Sequence, residues 1–138
     1  MTSTLIDTNV LVDVIESRPV WSDWATRHLQ RLSEEGDLLI NQVIYAEASV
    51  PYLTVEDFEL VVSTALLSRE DLPWAAGFVA AKAHKQFRAL GGQKSTALPD
   101  FFIAAHASVK GYRLLTRDAA RIRTYFPEVH VIAPDTHP

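Results

Sequence analysis

An α/β sandwich around a mostly parallel sheet is the fold class the sequence predicts, and three observations predict it. Short apolar runs of strand length, at Leu5-Ile6, Leu38-Leu39-Ile40, Arg113 to Thr116 and Val129 to Ile132, alternate with longer segments of helical spacing. Polar caps and Pro or Gly breaks punctuate the alternation, with no repeat of fixed period and no linker rich in Gly, Pro or Ser. At 138 residues, with 48% apolar and 22% charged residues, the chain has the size and composition of one globular domain, expected over 1–138.

Leu5-Ile6 reads as the end of a buried strand that leads into Asp7-Thr8-Asn9, residues able to cap a helix through Val10, Leu11, Val14 and Ile15. Arg18-Pro19 breaks that helix, and Trp21, Trp24, Ala25, His28, Leu29 and Leu32 mark the next, ending near Gly36. Leu38 to Ile40 is a second strand, with Asn41 capping a helix through Val43, Ile44, Glu47 and Val50 that Pro51 stops or kinks. Thr54-Val55-Glu56-Asp57 resembles a capping box for a helix through Phe58, Val61, Val62 and Ala65. Leu72-Pro73 opens a long helix closed by Gly91-Gly92, and Gln93 to Leu98 is a polar loop. Pro99-Asp100 opens a helix through Ile103, Ala104 and Ala107 that ends at Gly111. Arg113 to Thr116 forms a strand, Asp118 to Tyr125 a short helix and Val129 to Ile132 the last strand.

Composition excludes several chemistries. The absence of cysteine removes disulfides, thiolate nucleophiles, iron–sulfur clusters and Cys-based zinc sites. Five scattered histidines, His28, His84, His106, His130 and His137, make no His-x-x-x-His pair and argue against zinc; His106, near Asp100 in sequence, reads as packing or solvated. There is no Gly-x-Ser-x-Gly elbow, Gly-x-x-x-x-Gly-Lys loop or Gly-x-Gly-x-x-Gly fingerprint, so most kinase, NTPase and dehydrogenase readings fall away. The opening Met-Thr-Ser-Thr-Leu-Ile-Asp has no basic run and meets a carboxylate before any apolar stretch could span a membrane; a cytoplasmic protein is expected. Net charge is −4, yet residues 1–71 hold 13 acids and 4 bases while residues 72–138 hold 4 acids and 9 bases. That asymmetry fits helix surfaces that simply differ in charge, or a basic patch in the second half.

Most acids suit polar faces and helix ends: Glu34, Glu35, Glu56, Glu59, Glu70, Asp71, Asp13 and Asp23 are expected at the surface. Four do not fit so easily. Asp7 interrupts an apolar strand passing into an apolar helix, Asp100 heads the stripe of Ile103, Ala104 and Ala107, and Asp118 follows a strand end. Each of the three could be a plain N-cap. Glu47 shares a stripe with Val43, Ile44 and Val50 and so is expected to face the core, where a carboxylate costs several kcal/mol unless paired or bound to a cation. In parallel sheets ligands gather beyond the carboxyl ends of strands, where Asp7 and Asp118 fall and which Asp100 can face. Should the four converge, an all-oxygen site suits Mg²⁺ or Mn²⁺.

Ile6-Asp7-Thr8-Asn9-Val10-Leu11-Val12-Asp13, Glu47, Leu98-Pro99-Asp100-Phe101-Phe102-Ile103-Ala104-Ala105-His106-Ala107 and Leu114-Leu115-Thr116-Arg117-Asp118 together resemble the PIN-domain family, and more narrowly the VapC toxins of VapBC-type toxin–antitoxin modules. The likeness runs from Leu5 to the final strand and is weakest from Thr54 to Gly92. It implies a PIN-like three-layer α/β/α sandwich as a single ribonuclease domain, and a metal-dependent endoribonuclease in which Asp7, Glu47, Asp100 and Asp118 form the metal site for Mg²⁺, with Mn²⁺ as substitute. By the same resemblance Asn9 and Thr116 match positions that hydrogen-bond the ligand carboxylates or metal waters.

A water-attacking route uses no ribose 2′-OH, so products with 5′-phosphate and 3′-hydroxyl ends are expected. Flanking RNA phosphates are expected on Lys94, Arg113, Arg117 or Arg121. The resemblance also implies a VapB-type antitoxin whose tail blocks the acidic pocket, and a homodimer for which Trp21 and Trp24 offer interface bulk or else core packing. Two alternatives stand beside it: a PIN-like module that binds RNA or metal without cutting, and a metal-dependent DNA nuclease on a related fold.

Overall fold

The computed structural model describes residues 2–92 and 97–138. The strands are β1 (Thr4–Ile6), β2 (Leu38–Ile40), β3 (Ser68–Arg69), β4 (Arg113–Leu115) and β5 (Val131–Ile132). The helices are α1 (Thr8–Ile15), α2 (Trp21–Ser33), α3 (Gln42–Ser49), α4 (Val55–Thr64), α5 (Trp74–Ala89), α6 (Leu98–Lys110) and α7 (Ala120–Tyr125). All neighbouring strands pair in parallel, in the order β3-β2-β1-β4-β5. Every residue of β1, β2 and β4 is buried, so both faces of the central sheet are covered by helices: a three-layer α/β/α sandwich, as expected. None of the described helices is long and apolar enough to cross a membrane.

The strand order matters for the site. From β1 the chain proceeds outward through β2 to β3, then returns across the sheet to β4 and β5 on the other side of β1. The connections leaving β1 and β4 therefore diverge, opening a crevice beyond their carboxyl ends. Asp7 follows β1 there, and Thr116 to Asp118 follow β4.

Local chemistry explains the boundaries. Asp7 caps α1 by accepting from the Thr8 N–H, Asn41 caps α3 through Ile44 N–H, and Thr54 caps α4 through Asp57 N–H. Gly111 ends α6 in the left-handed region at φ 69°, where glycine has no Cβ penalty. The unpredicted element is β3: Ser68 and Arg69 are both exposed and carry no apolar pattern, so only their pairing with Leu39 and Ile40 makes them a strand. The short helix near the C-terminus begins at Ala120, two residues later than expected, and leaves Asp118 in the connection before it.

One core expectation changes, and one pair of alternatives is decided. Asp13 is 1% exposed rather than at the surface, because α1 buries Val10, Leu11 and Asp13 while Val14 and Ile15 are only half-buried. Trp24 takes the core-packing alternative, its indole N–H donating to the His137 carbonyl at 2.7 Å. Trp21 is half-buried beneath the Arg117 guanidinium, 5.1 Å from the ring centre.

Candidate active site

Asp7, Thr8 and Asn9 occupy the turn from β1 into α1, and each engages a different neighbour. The Asp7 carboxylate, 6% exposed, accepts from Thr8 N–H at 2.7 Å and from the Thr116 hydroxyl at 2.7 Å. The Thr8 hydroxyl donates to Glu47 Oε1 at 2.7 Å and so ties α3 to the start of α1. The Asn9 amide reaches Thr116 Oγ1 at 3.3 Å and Asp7 Oδ2 at 3.4 Å, while its Oδ1 accepts from the Arg117 N–H at 3.1 Å. Thr116 in turn accepts from the Asp118 N–H at 3.1 Å. The strand ends of β1 and β4 are thus joined by a continuous polar network that orients Asp7 and shapes the turn carrying Asp118.

The four acids influence one another electrostatically. Burial, helped by the charges of Asp100 and Glu47, pushes the Asp7 carboxyl up to about 6 against the downward pull of its hydrogen bonds. Asp100, in the first turn of α6, is also raised, first by burial; Arg121 opposes the rise, and Glu47 and Asp118 add to it. The cap alternative holds for Asp7 alone, since Ala97 and Ala119 occupy the cap positions of α6 and α7.

Glu47 differs from expectation. The buried side of α3 is Ile44 and Ala48, whereas Glu47 and Val50 are exposed. Glu47 therefore rims the crevice instead of entering the core, and the desolvation cost falls on Asp7 and Asp100. Asp118 is exposed as well.

All four candidate ligands are carboxylates, a set that fits a hard divalent cation such as Mg²⁺ or Mn²⁺, and the charges of Glu47, Asp100 and Asp118 that act on one another or on Asp7 would favour one. The arrangement is more open than a finished coordination shell: among the described residues no three His, Cys, Asp or Glu side chains are grouped to hold an ion. An Arg121–Asp100 pair at 3.0 Å lies at the rim, with the guanidinium also 5.0 Å from the centre of the Phe87 ring.

The basic residues divide sharply. Arg121 alone of the described candidates contacts one of the four acids. Arg113 opens β4, at the far end of the strand from the crevice; it is buried, pairs with Glu35 and donates to the Thr2 carbonyl, so it is not a phosphate contact. Arg117 is bound through Nε to Asp13 Oδ2 at 2.7 Å and through Nη2 to Oδ1 at 3.3 Å, so its guanidinium is engaged with α1. Lys94 lies outside the described residues.

His106 makes its contacts with residues other than Asp100. Fully buried, it contacts the Asn41 amide at 3.0 Å and Glu70 at 2.8 Å, and Glu70 also accepts from the Tyr112 hydroxyl at 2.6 Å. Glu70 is consequently a network member rather than a solvated surface acid. Neither this network nor the roles of Thr8 and Asp13 were foreseen. Asp13 had a usable signal, lying three residues after buried Val10 on the same helical face.

The family model of the PIN domain matches residues 4–127. No curated protein matches the chain. Among solved structures it is similar to VapBC2 from Rickettsia felis bound to a DNA fragment from their promoter, with 18% identity and TM-score 0.74 over 95% of this chain and 98% of that one. It is also similar to DNA-bound VapBC from Salmonella typhimurium, with 19% identity and TM-score 0.72 over 96% and 98%. FitAcB from Neisseria gonorrhoeae gives 21% identity and TM-score 0.67 over 98% and 99%. At these identities the likeness to the solved structures is one of fold.

Proposed function

The chain belongs to the PIN-domain family, a family of nucleases, and from that premise we propose that the whole chain, 1–138, acts as one metal-dependent endoribonuclease domain in the cytoplasm, the toxin of a toxin–antitoxin pair. The observation that carries this is Asp7: a carboxylate 6% exposed, held in place by Thr116 and Asn9, yet pushed up to about 6 by burial with Asp100 and Glu47 adding to the rise. A fold tolerates such a group where it serves a cation.

Asp7, Glu47, Asp100 and Asp118 would hold Mg²⁺ or Mn²⁺. The bound ion supplies a water of lowered pKa and charge relief at the phosphate. Thr116 and Asn9 restrict Asp7 to one rotamer by filling its Oδ2 side, while Thr8 holds Glu47 at the rim. Arg121, 38% exposed and beside Asp100, is the side chain best suited to a flanking phosphate.

A protein partner is supported by exposed apolar side chains: Leu53 is 97% and Trp74 98% exposed, with Val50, Leu66 and Phe78 also open. A further similar solved structure, from Klebsiella pneumoniae, is described as a toxin–antitoxin complex, and an antitoxin and a second copy of this chain are the proposed partners.

Incubating bulk RNA and single-stranded DNA with the protein in Mg²⁺, Mn²⁺ or EDTA tests the proposal. RNA should be cut only with metal, leaving 5′-phosphate and 3′-hydroxyl ends, and Asp100→Asn should abolish cutting while remaining folded. Cleavage in EDTA, or wild-type turnover by a folded Asp100→Asn, would overturn it. Cleavage of DNA alone would reassign the substrate, and metal-dependent RNA binding without cutting would make the chain a binding module.

A further inference from the structure

The Asp118 carboxylate takes part in no hydrogen bond among the described residues; its position depends on the turn between β4 and α7. One long side chain braces that turn. Arg117, next to Asp118, has its N–H bound to Asn9 Oδ1 at 3.1 Å and its guanidinium bound to both oxygens of Asp13, at 2.7 and 3.3 Å. Asp13 is 1% exposed and has a second, longer contact with Arg18 at 3.6 Å. Trp21, at the start of α2, covers the guanidinium with its ring. Residue 117 is therefore tied by main chain and side chain to α1, the same helix whose first residues orient Asp7.

An interior ion pair of this kind contributes little net stability, since desolvation offsets most of its attraction. What it does provide is geometry: the planar two-pronged fork fixes both distance and direction. We propose that Arg117, anchored on buried Asp13 and stacked on Trp21, is a positioning residue that sets where the Asp118 carboxylate stands relative to Asp7. This rests on the metal-dependent site proposed above.

The test uses the full chain and Mn²⁺ as the probe. Removing Arg117 alone would strand the buried Asp13 charge and risk unfolding, so the informative variant is Asp13→Leu combined with Arg117→Met, which removes both charges together. It should melt at or above the wild-type temperature in EDTA yet bind Mn²⁺ about 10–100-fold more weakly by calorimetric titration, the scale on which outer partners of metal ligands act. With RNA, cutting at limiting Mn²⁺ should fall by a similar factor and recover in excess Mn²⁺, while the KM for RNA stays near wild type. Arg117→Lys keeps the charge without the fork and should show a smaller loss, also restored by excess metal.

Unchanged Mn²⁺ affinity in the folded double variant overturns the proposal and leaves the pair purely structural. A raised RNA KM with unchanged Mn²⁺ affinity overturns it in favour of a phosphate contact. Should the double variant fail to fold, unaltered Mn²⁺ affinity in Arg117→Lys is the overturning result. A wild-type chain that takes up no Mn²⁺ removes the metal site itself, an outcome distinct from equal binding by wild type and variant.

Discussion

Asp7 follows β1 and Glu70 follows β3, at the same edge of the sheet, and each accepts a hydrogen bond from a hydroxyl: Thr116 at 2.7 Å for Asp7, Tyr112 at 2.6 Å for Glu70. Their surroundings drive them in opposite directions. Burial raises Asp7 to about 6 and the neighbouring Asp100 and Glu47 reinforce it. Burial also pushes Glu70 upward, but hydrogen bonds from Tyr112 and His106, with help from Lys110, outweigh it and hold the carboxyl below its ordinary value. Tyr112 shows the reciprocal effect, its phenol pushed up to about 12 by the hydrogen bond to Glu70. Local hydrogen bonding is therefore not what separates the two carboxylates, since both have donors. What distinguishes them is first the depth of burial, Asp7 being 6% exposed and Glu70 only half-buried, and then the charges alongside, Asp100 and Glu47 pressing on Asp7 where Lys110 relieves Glu70.

Breaking this contrast should give effects of graded size. Asp7→Asn keeps the cap, since Asn is as good there, and removes the charge; RNA cutting should fall by far more than the about 10–100-fold that an outer partner's loss costs. Thr116→Val deletes only the hydroxyl that orients Asp7 and should cost about 10–100-fold in Mn²⁺ affinity, read by calorimetry. The matching deletion in the other region, Tyr112→Phe, should leave Mn²⁺ affinity and cutting unchanged and lower stability by about 1 kcal/mol in a urea melt. The smallest effect is spectroscopic: in Glu70→Gln the Tyr112 phenol should titrate below its wild-type value near 12 in an alkaline absorbance titration.

The same contrast fixes the sign of the pH dependence. A carboxyl raised in the folded state favours folding below its unfolded value and loses that contribution as pH climbs, so Asp7 should cost the metal-free protein stability progressively between about 4 and 6. Glu70, lowered in the folded state, contributes stability above the ordinary carboxylate range that disappears on acidification. Urea melts in EDTA across this window should show Asp7→Asn losing less stability than wild type as pH rises.

Much of this was legible in the sequence because it rests on local rules. The caps at Asp7, Asn41 and Thr54, the run Leu38–Ile40 and the end of α6 at Gly111 follow from residue type and spacing alone. The four acids were legible because each breaks an apolar pattern, although for Glu47 the pattern misled: helical phase puts Ala48, not Glu47, against the core. The features that were not legible depend on partners far away in sequence. Asp13 is buried only because Arg117, more than a hundred residues on, meets it. Arg113 is buried because Glu35 and the Thr2 carbonyl receive it. Glu70 is drawn half out of solvent because β3 pairs with β2 and carries it to His106 and Tyr112.

The most direct test of the proposal that Asp7, with Asp100 and Glu47 beside it, helps to hold a divalent cation is the melting temperature of wild type, Asp7→Asn and Glu70→Gln at neutral pH, first in EDTA and then in saturating Mn²⁺. Metal that binds the folded chain alone raises the melting point by linkage. In EDTA, Asp7→Asn should melt at or above wild type, since the pressure on a carboxyl raised to about 6 is worth up to about 3 kcal/mol, less the hydrogen bonds from Thr116 and Asn9 that the amide cannot accept. Mn²⁺ should then raise wild type and Glu70→Gln together and move Asp7→Asn much less. An Asp7→Asn protein that melts well below wild type in EDTA and is raised by Mn²⁺ as much as wild type would contradict the account and leave Asp7 as the N-cap of α1.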